Sequence, residues 1–160
     1  MGQDIFIKIK DIGGESQDSL HHGETKVLDW DLSVSQTSDM HSGRGGGAGK
    51  CTVDDFHFEH YIDKSTPGFL QYCLTGKHIP EAVLTVRKAG GSSPEYLRIT
   101  LQEIIITGVH PVYLNTMRVP RETVSLSFSR VKIDYVLQNM DGNSAGTVSA
   151  GYDIKANAVI

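Results

Sequence analysis

Cysteine is scarce: Cys51 and Cys73 are the only two in 160 residues. Small secreted domains stapled by disulfides carry more, so this fold must rest on its hydrophobic core. Cys51 borders a glycine-rich stretch and Cys73 falls on the apolar side of a helical pattern, so a bridge between them is not expected. Basic charge is not in excess either. The formal net charge is −4, which excludes a general nucleic-acid binder, because such a protein needs a cationic surface to displace counterions from phosphates. Long apolar runs are missing, and none approaches the length that spans or inserts into a bilayer. The opening Met1-Gly2-Gln3-Asp4-Ile5-Phe6 has no basic region followed by an apolar one, so no classical signal peptide is expected. Phe6 also stands where a myristoylation motif needs Ser or Thr.

Signatures of catalysis are lacking too. Gly45-Gly46-Gly47-Ala48-Gly49-Lys50 resembles a phosphate loop at first sight. The P-loop needs a glycine where Arg44 stands and a metal-binding hydroxyl where Cys51 stands, and a strand pattern follows instead of a helix. His57, Glu59 and His60 are close in sequence, but His57 and His60 point to opposite faces of a strand. HExxH, G-x-S-x-G and paired zinc-binding cysteines are absent. Asp54-Asp55 and Asp29 with Asp31 read more simply as solvated strand faces than as acid–base pairs. The expectation is a non-enzyme without metal or cofactor.

Period-two alternation is what the chain has in quantity. Ile5, Ile7 and Ile9 alternate with Phe6, Lys8 and Lys10; Leu28, Trp30, Leu32 and Val34 alternate with Asp29, Asp31, Ser33 and Ser35. Phe56, Phe58, His60 and Ile62 share a face, as do Leu84 and Val86, and Leu97, Ile99 and Leu101. Ile104-Ile105-Ile106 suggests burial on both faces. Val148, Ala150, Tyr152 and Ile154 close the series. From Val124 to Leu137 the apolar phase slips once near Ser129 and Arg130, which predicts a β-bulge there. One segment reads as helix, about 66–76: Ser65 or Thr66 caps it, Pro67 suits its first turn, Gly76 ends it, and Phe69, Leu70, Cys73 and Leu74 form its apolar face. The result is a single mainly β domain over 1–160: roughly seven or eight strands forming a compact β-barrel of two packed antiparallel sheets, with one short side helix.

Two loops offer surface for self-association. A long Gly-rich loop from Thr37 to Lys50 is expected to protrude, and its glycines permit close approach to another backbone. The stretch from His110 to Arg121 carries Val112, Tyr113, Leu114, Met117 and Val119 between two prolines.

Several segments then resemble a known family, in order and over nearly the whole chain. They are Phe6-Ile7-Lys8-Ile9 with Gly14-Glu15-Ser16, Val27-Leu28-Asp29-Trp30, and Met40-His41-Ser42-Gly43 running into Gly45 to Lys50. Tyr61-Ile62-Asp63-Lys64-Ser65-Thr66-Pro67, Thr75-Gly76-Lys77-His78 and Leu84-Thr85-Val86-Arg87-Lys88-Ala89-Gly90-Gly91 complete the set. Together they resemble the Hcp family, the haemolysin-coregulated proteins of type VI secretion; Val112 to Arg121 and the tail after Asp141 match less clearly.

The resemblance implies a structural subunit that forms hexameric rings, which stack into the inner tube of a contractile injection machine. It implies effector proteins held and protected in the lumen, and spike and sheath as further partners. It also implies assembly in the cytoplasm followed by secretion without a cleaved signal. On that reading the loop with Gly43, Arg44, Gly45, Gly46, Gly47, Gly49 and Lys50 joins one ring to the next. Asp29, Asp31 and Ser33, opposite Trp30, are the candidate lumen and effector contacts. Two alternatives remain: a monomeric ligand- or carbohydrate-binding β-sandwich, and a metal hydrolase using His57, Glu59 and His60.

Overall fold

Alternating residues become strand wherever their apolar face can be buried. The computed structural model describes residues 2–41, 48–88, 94–141 and 143–160, with 48–50 as backbone only. Among the described residues are β1 (Gln3–Ile9), β2 (Thr25–Lys26), β3 (Asp29–Asp31), β4 (Val34–Ser38), β5 (Ala48–Val53) and β6 (Phe56–Tyr61). Then come α1 (Thr66–Thr75), β7 (Ile79–Lys88), β8 (Glu95–Val112), β9 (Arg121–Gln138), β10 (Ser144–Asp153) and β11 (Ala158–Val159). The strands form two antiparallel sheets, a branched one of nine strands and a small one made of β4 and β5.

The large sheet closes on itself. β1 pairs with β7, β7 with β8, β8 with β9, and β9 with β6. The segment from Thr25 to Asp31 completes the circuit. Its β2 end pairs with β1, Val27 N–H donates to Ile5 O at 2.8 Å, Leu28 N–H donates to Glu59 O at 2.7 Å, and β3 pairs with β6. Inside lie the alternating residues expected from sequence, among them Ile7, Phe56, Phe58, Leu84, Ile99, Leu101, Ile104 and Leu126. Closure removes most free strand edges, which otherwise invite unwanted pairing.

The phase slip in β9 is real but is not a one-sided bulge. Phe128 and Ser129 are both buried, so the apolar face changes from even to odd numbers there. β8 slips at the same level, where Glu103 takes a left-handed φ of 54° between Leu101 and Ile104. Because both strands slip together, Gln102 still faces Arg130 and Ile104 still faces Phe128. The register shift lies farther on, between Ile106 and Gly108. Ile105 is half-buried, so the isoleucine triplet is not dry on both faces.

Pro67 and Gly76 bound the helix as expected, with Gly76 left-handed at φ 67°. Its apolar face differs. Phe69, Tyr72 and Cys73 meet the core, whereas Leu70 and Leu74 face solvent. Residues at i, i+3 and i+4 share a stripe, and Leu70 and Leu74 sit one step round from it. The cap also differs: Ser65 makes no side-chain cap bond, and Asp63 instead accepts from Ser65 N–H at 2.8 Å.

The Gly-rich segment needs correcting at both ends. Thr37 and Ser38 belong to β4, and 48–50 belong to β5, with Ser38 opposite Ala48. Both ends of the expected loop are thus paired antiparallel strand. Gly43, Arg44, Gly45, Gly46 and Gly47 lie outside the described residues.

Candidate functional site

The hairpin prolongs the barrel wall. Asp29 faces Glu59, Asp31 faces His57, Val34 faces Val53 and Ser38 faces Ala48, while Asp54 N–H donates to Ser33 O at 3.0 Å. The register is almost constant, so β3 with β4 and β5 with β6 form one long ribbon. Its root is in the barrel and its end runs past it. The strand after Lys50 also denies that segment the helix N-terminus a phosphate loop requires.

Asp29, Asp31 and Ser33 are exposed on the outer side of this ribbon. Trp30 points the other way and stacks on Phe56 with centroids 6.1 Å apart. Asp29, Asp31, His57, Glu59 and Thr123 border a shallow depression of about 150 Å³. Glu59 is bridged by Arg121 at 3.3 Å. This face offers carboxylates and short polar groups, a surface for weak, numerous contacts rather than chemistry.

His57 and His60 do sit on opposite faces of β6. His57 Nδ1 lies 2.8 Å from Ser125 Oγ on the outside. His60, 1% exposed, donates from Nε2 to Glu122 Oε2 at 2.8 Å inside the barrel, and Thr66 Oγ1 donates to the same oxygen at 2.6 Å. This buried pair ties β6, β9 and the start of α1 together. The grouping that a metal hydrolase needs is therefore not assembled.

One surface escaped the sequence reading. β9 pairs with β6 along its first part and with β10 along its second, so β10 extends beyond the closed wall. The pairings Ile5–Val86, Val86–Leu97, Leu97–Tyr135 and Tyr135–Val148 make one transverse row on the core face. Val86 is 1% exposed, Tyr135 48% and Val148 61%, with Leu137 nearby at 43%. The core face thus runs out into solvent on this wing. In sequence, Val148-x-Ala150-x-Tyr152 looks like any buried strand, because alternation does not say whether the face is covered. Tyr113, Leu114 and Val119 in the second loop are exposed as expected, whereas Val112 and Met117 are half-buried and His110 to Val112 belong to β8.

A polar latch also went unread. The segment from Gly13 to Glu24 folds over the outside of β1 and β7. Arg87, 5% exposed, pairs with Asp18 and with Asp4 at 3.3 Å, and lies over the Phe6 ring at 5.2 Å. Phe6 stacks on His21, which reaches Glu95 at 2.7 Å and Glu24 at 3.0 Å. The hydrogen bond from Arg87 lowers the Asp18 pKa below its ordinary 3.8, against a smaller opposing effect of burial. The hydrogen bond with Asp18 in turn raises the Arg87 pKa above its ordinary value. Such a network explains why Phe6, on the polar side of β1, is buried.

The family model for "Type VI secretion system effector, Hcp" matches residues 6–135. The chain belongs to the Hcp family. It is 46% identical over 159 residues to protein hcp1 of Pseudomonas aeruginosa, covering 98% of each chain. Among solved structures, Hcp1 from Salmonella typhimurium superposes with a TM-score of 0.81 at 42% identity, over the whole of both chains. A type VI secretion system effector from Yersinia pestis gives 0.78 at 40% identity, covering 94% of this chain and 99% of that one. This Hcp chain is therefore a member of a family of structural, secreted tube proteins of the type VI system. Its fold is the one found in the solved Hcp structures it superposes on.

Proposed function

We propose that this Hcp chain forms hexameric rings that stack into the inner tube of a type VI secretion system, hold effector proteins in the lumen and are secreted with them. The observation that carries the reading is the wing, where a core-like row of Leu97, Tyr135 and Val148 ends uncovered. Apolar faces of this kind are costly in water and are normally covered by another subunit. The second unlike patch that a closed ring needs is available in the exposed loop of Tyr113, Leu114 and Val119. Asp29, Asp31 and Ser33 are the proposed lumen contacts, on the face with no core role. The ribbon, with Gly43 to Lys50 at its end, is the proposed ring-to-ring contact. Spike and sheath are the proposed partners beyond the tube, and export proceeds without a cleaved signal.

Native mass measurement joined to negative-stain imaging tests this. Six-chain particles with a central hole are expected. A single-chain mass at every concentration would sink the ring and favour a monomeric binding module.

A further inference from the structure

We infer that the outer face of β3, β6 and β9 holds a basic polypeptide at neutral pH and releases it in mild acid, with His57 and His110 as the groups that change its charge. This rests on the lumen reading above and adds the chemistry of the cargo and the control of its release. Strand register builds the face. Asp31 lies opposite His57, His57 opposite Ser125, and Ser125 opposite Gly108. In the next row Asp29 lies opposite Glu59, Glu59 opposite Thr123, and Thr123 opposite His110. Directly opposed residues of a sheet point to the same side, so both histidines stand among the carboxylates.

Charge decides the partner. Asp29, Asp31, Asp55 and Glu59 lie on this side, and Asp55 also accepts from Thr107 Oγ1 at 2.5 Å. Among the described residues of these strands, the one cation set among them is Arg121, which is bound to Glu59 at 3.3 Å and lies over the Tyr61 ring at 5.9 Å. The positions between the charges carry Thr123, Ser125 and Gly108, too short to screen the carboxylates from a large partner. A basic surface complements such a face. Each exposed pair contributes little, but a closed ring repeats the face in every subunit.

Histidine supplies the control, because it is the side chain that ordinarily changes charge between about pH 5 and pH 8. His57 faces Asp31 on β3, Ser125 on β9, and Asp55 and Glu59 along its own strand. Asp55 and Glu59 are two residues away, about 7 Å at strand rise, which is inside the ~8 Å screening length of physiological salt. His110 faces Thr123, with Glu59 and Arg121 beyond it. Ser125 Oγ lies 2.8 Å from His57 Nδ1. A hydroxyl both donates and accepts, so it serves imidazole and imidazolium alike and the strand need not move. Protonating both rings offsets two of the four carboxylates in each copy and turns part of the face repulsive to a cation. His60 takes no part, since it is buried against Glu122 on the core side of β6.

The test uses the full-length chain and an oligolysine peptide blocked at both ends, whose own charge is constant over the range. Binding is followed by calorimetry in low salt at about pH 7.5 and about pH 5.5, with native mass and circular dichroism in parallel. Wild type should bind about tenfold more weakly at the lower pH, since the loss repeats at every subunit. His57→Gln with His110→Gln should shrink that step below about twofold, and His110→Gln alone should shrink it in part. His57→Lys should bind weakly at both pH values, as should Asp29→Asn with Asp31→Asn. An undiminished step in the double glutamine variant, a wild type indifferent to pH, or full binding after both aspartates are changed would each overturn the inference. A single-chain mass for wild type with the histidine-dependent step intact would support this control and strike only at the ring.

Discussion

Arg87 and Asp18 show how much of this chain depends on single polar residues at its surface. The guanidinium holds Asp18 in its charged form, so the Asp18 pKa is lower in the folded protein than its ordinary 3.8. A depressed carboxylate stabilises the fold fully above that ordinary value and loses its contribution as pH falls through the folded one. Glu103 behaves alike, held down first by the hydrogen bond from Ser129 and then by Lys155 and Arg130. Asp18→Asn should therefore lower the urea midpoint at pH 7 and make it less sensitive to acid below about pH 4. An acid limb identical to wild type would show that Asp18 does not report on folding. Sequence alone gave no hint of the latch, since Asp4, Asp18 and Arg87 are far apart in the chain and pair only after β1 and β7 meet. The opposed faces of His57 and His60 were legible, because strand geometry settles them locally.

Elements were legible where a pattern is local and strong. Strand alternation placed the core residues, and Pro67 and Gly76 placed the helix ends. What failed was the part that depends on a neighbour. Leu70 and Leu74 read as core until the barrel takes Phe69, Tyr72 and Cys73 instead. The slip at Ser129 reads as a bulge until Glu103 is seen to slip with it. The Gly13–Glu24 segment also depends on a close approach. A Cβ on Gly14 would lie 2.6 Å from Glu24 O and 2.8 Å from Thr25 Cα, both backbone atoms that cannot swing aside. Gly14→Ala should cost about 1–3 kcal/mol in thermal or urea unfolding. It should also speed amide exchange at Gly23, whose carbonyl accepts from Gly14 N–H at 2.8 Å and whose own N–H donates to Ser16 O. Unaltered stability would mean that the segment yields without loss.

At the scale of the whole molecule, the decisive feature is that β9 serves two neighbours and leaves β10 outside the closed wall. Val148 is 61% exposed, so changing it should disturb assembly rather than folding. Val148→Asp places a charge on the apolar wing, where covering it with another subunit would strand that charge. The variant should keep its circular dichroism and unfold within about 0.5 kcal/mol of wild type, yet run at lower native mass. Unchanged ring mass would move the subunit contact elsewhere.

The sequence by itself determined that the chain is mainly β, where its one helix among the described residues begins and ends, and which family it resembles. Those properties rest on period, capping chemistry and residue order, all of which are local. Only the tertiary structure decided which apolar face is covered and which is left open. It alone turned both ends of the expected Gly-rich loop into paired strand, with Ser38 opposite Ala48. Burial and charge pairing depend on which distant segments meet, and one strand's alternation reads the same whether its partner is the core, the solvent or another subunit.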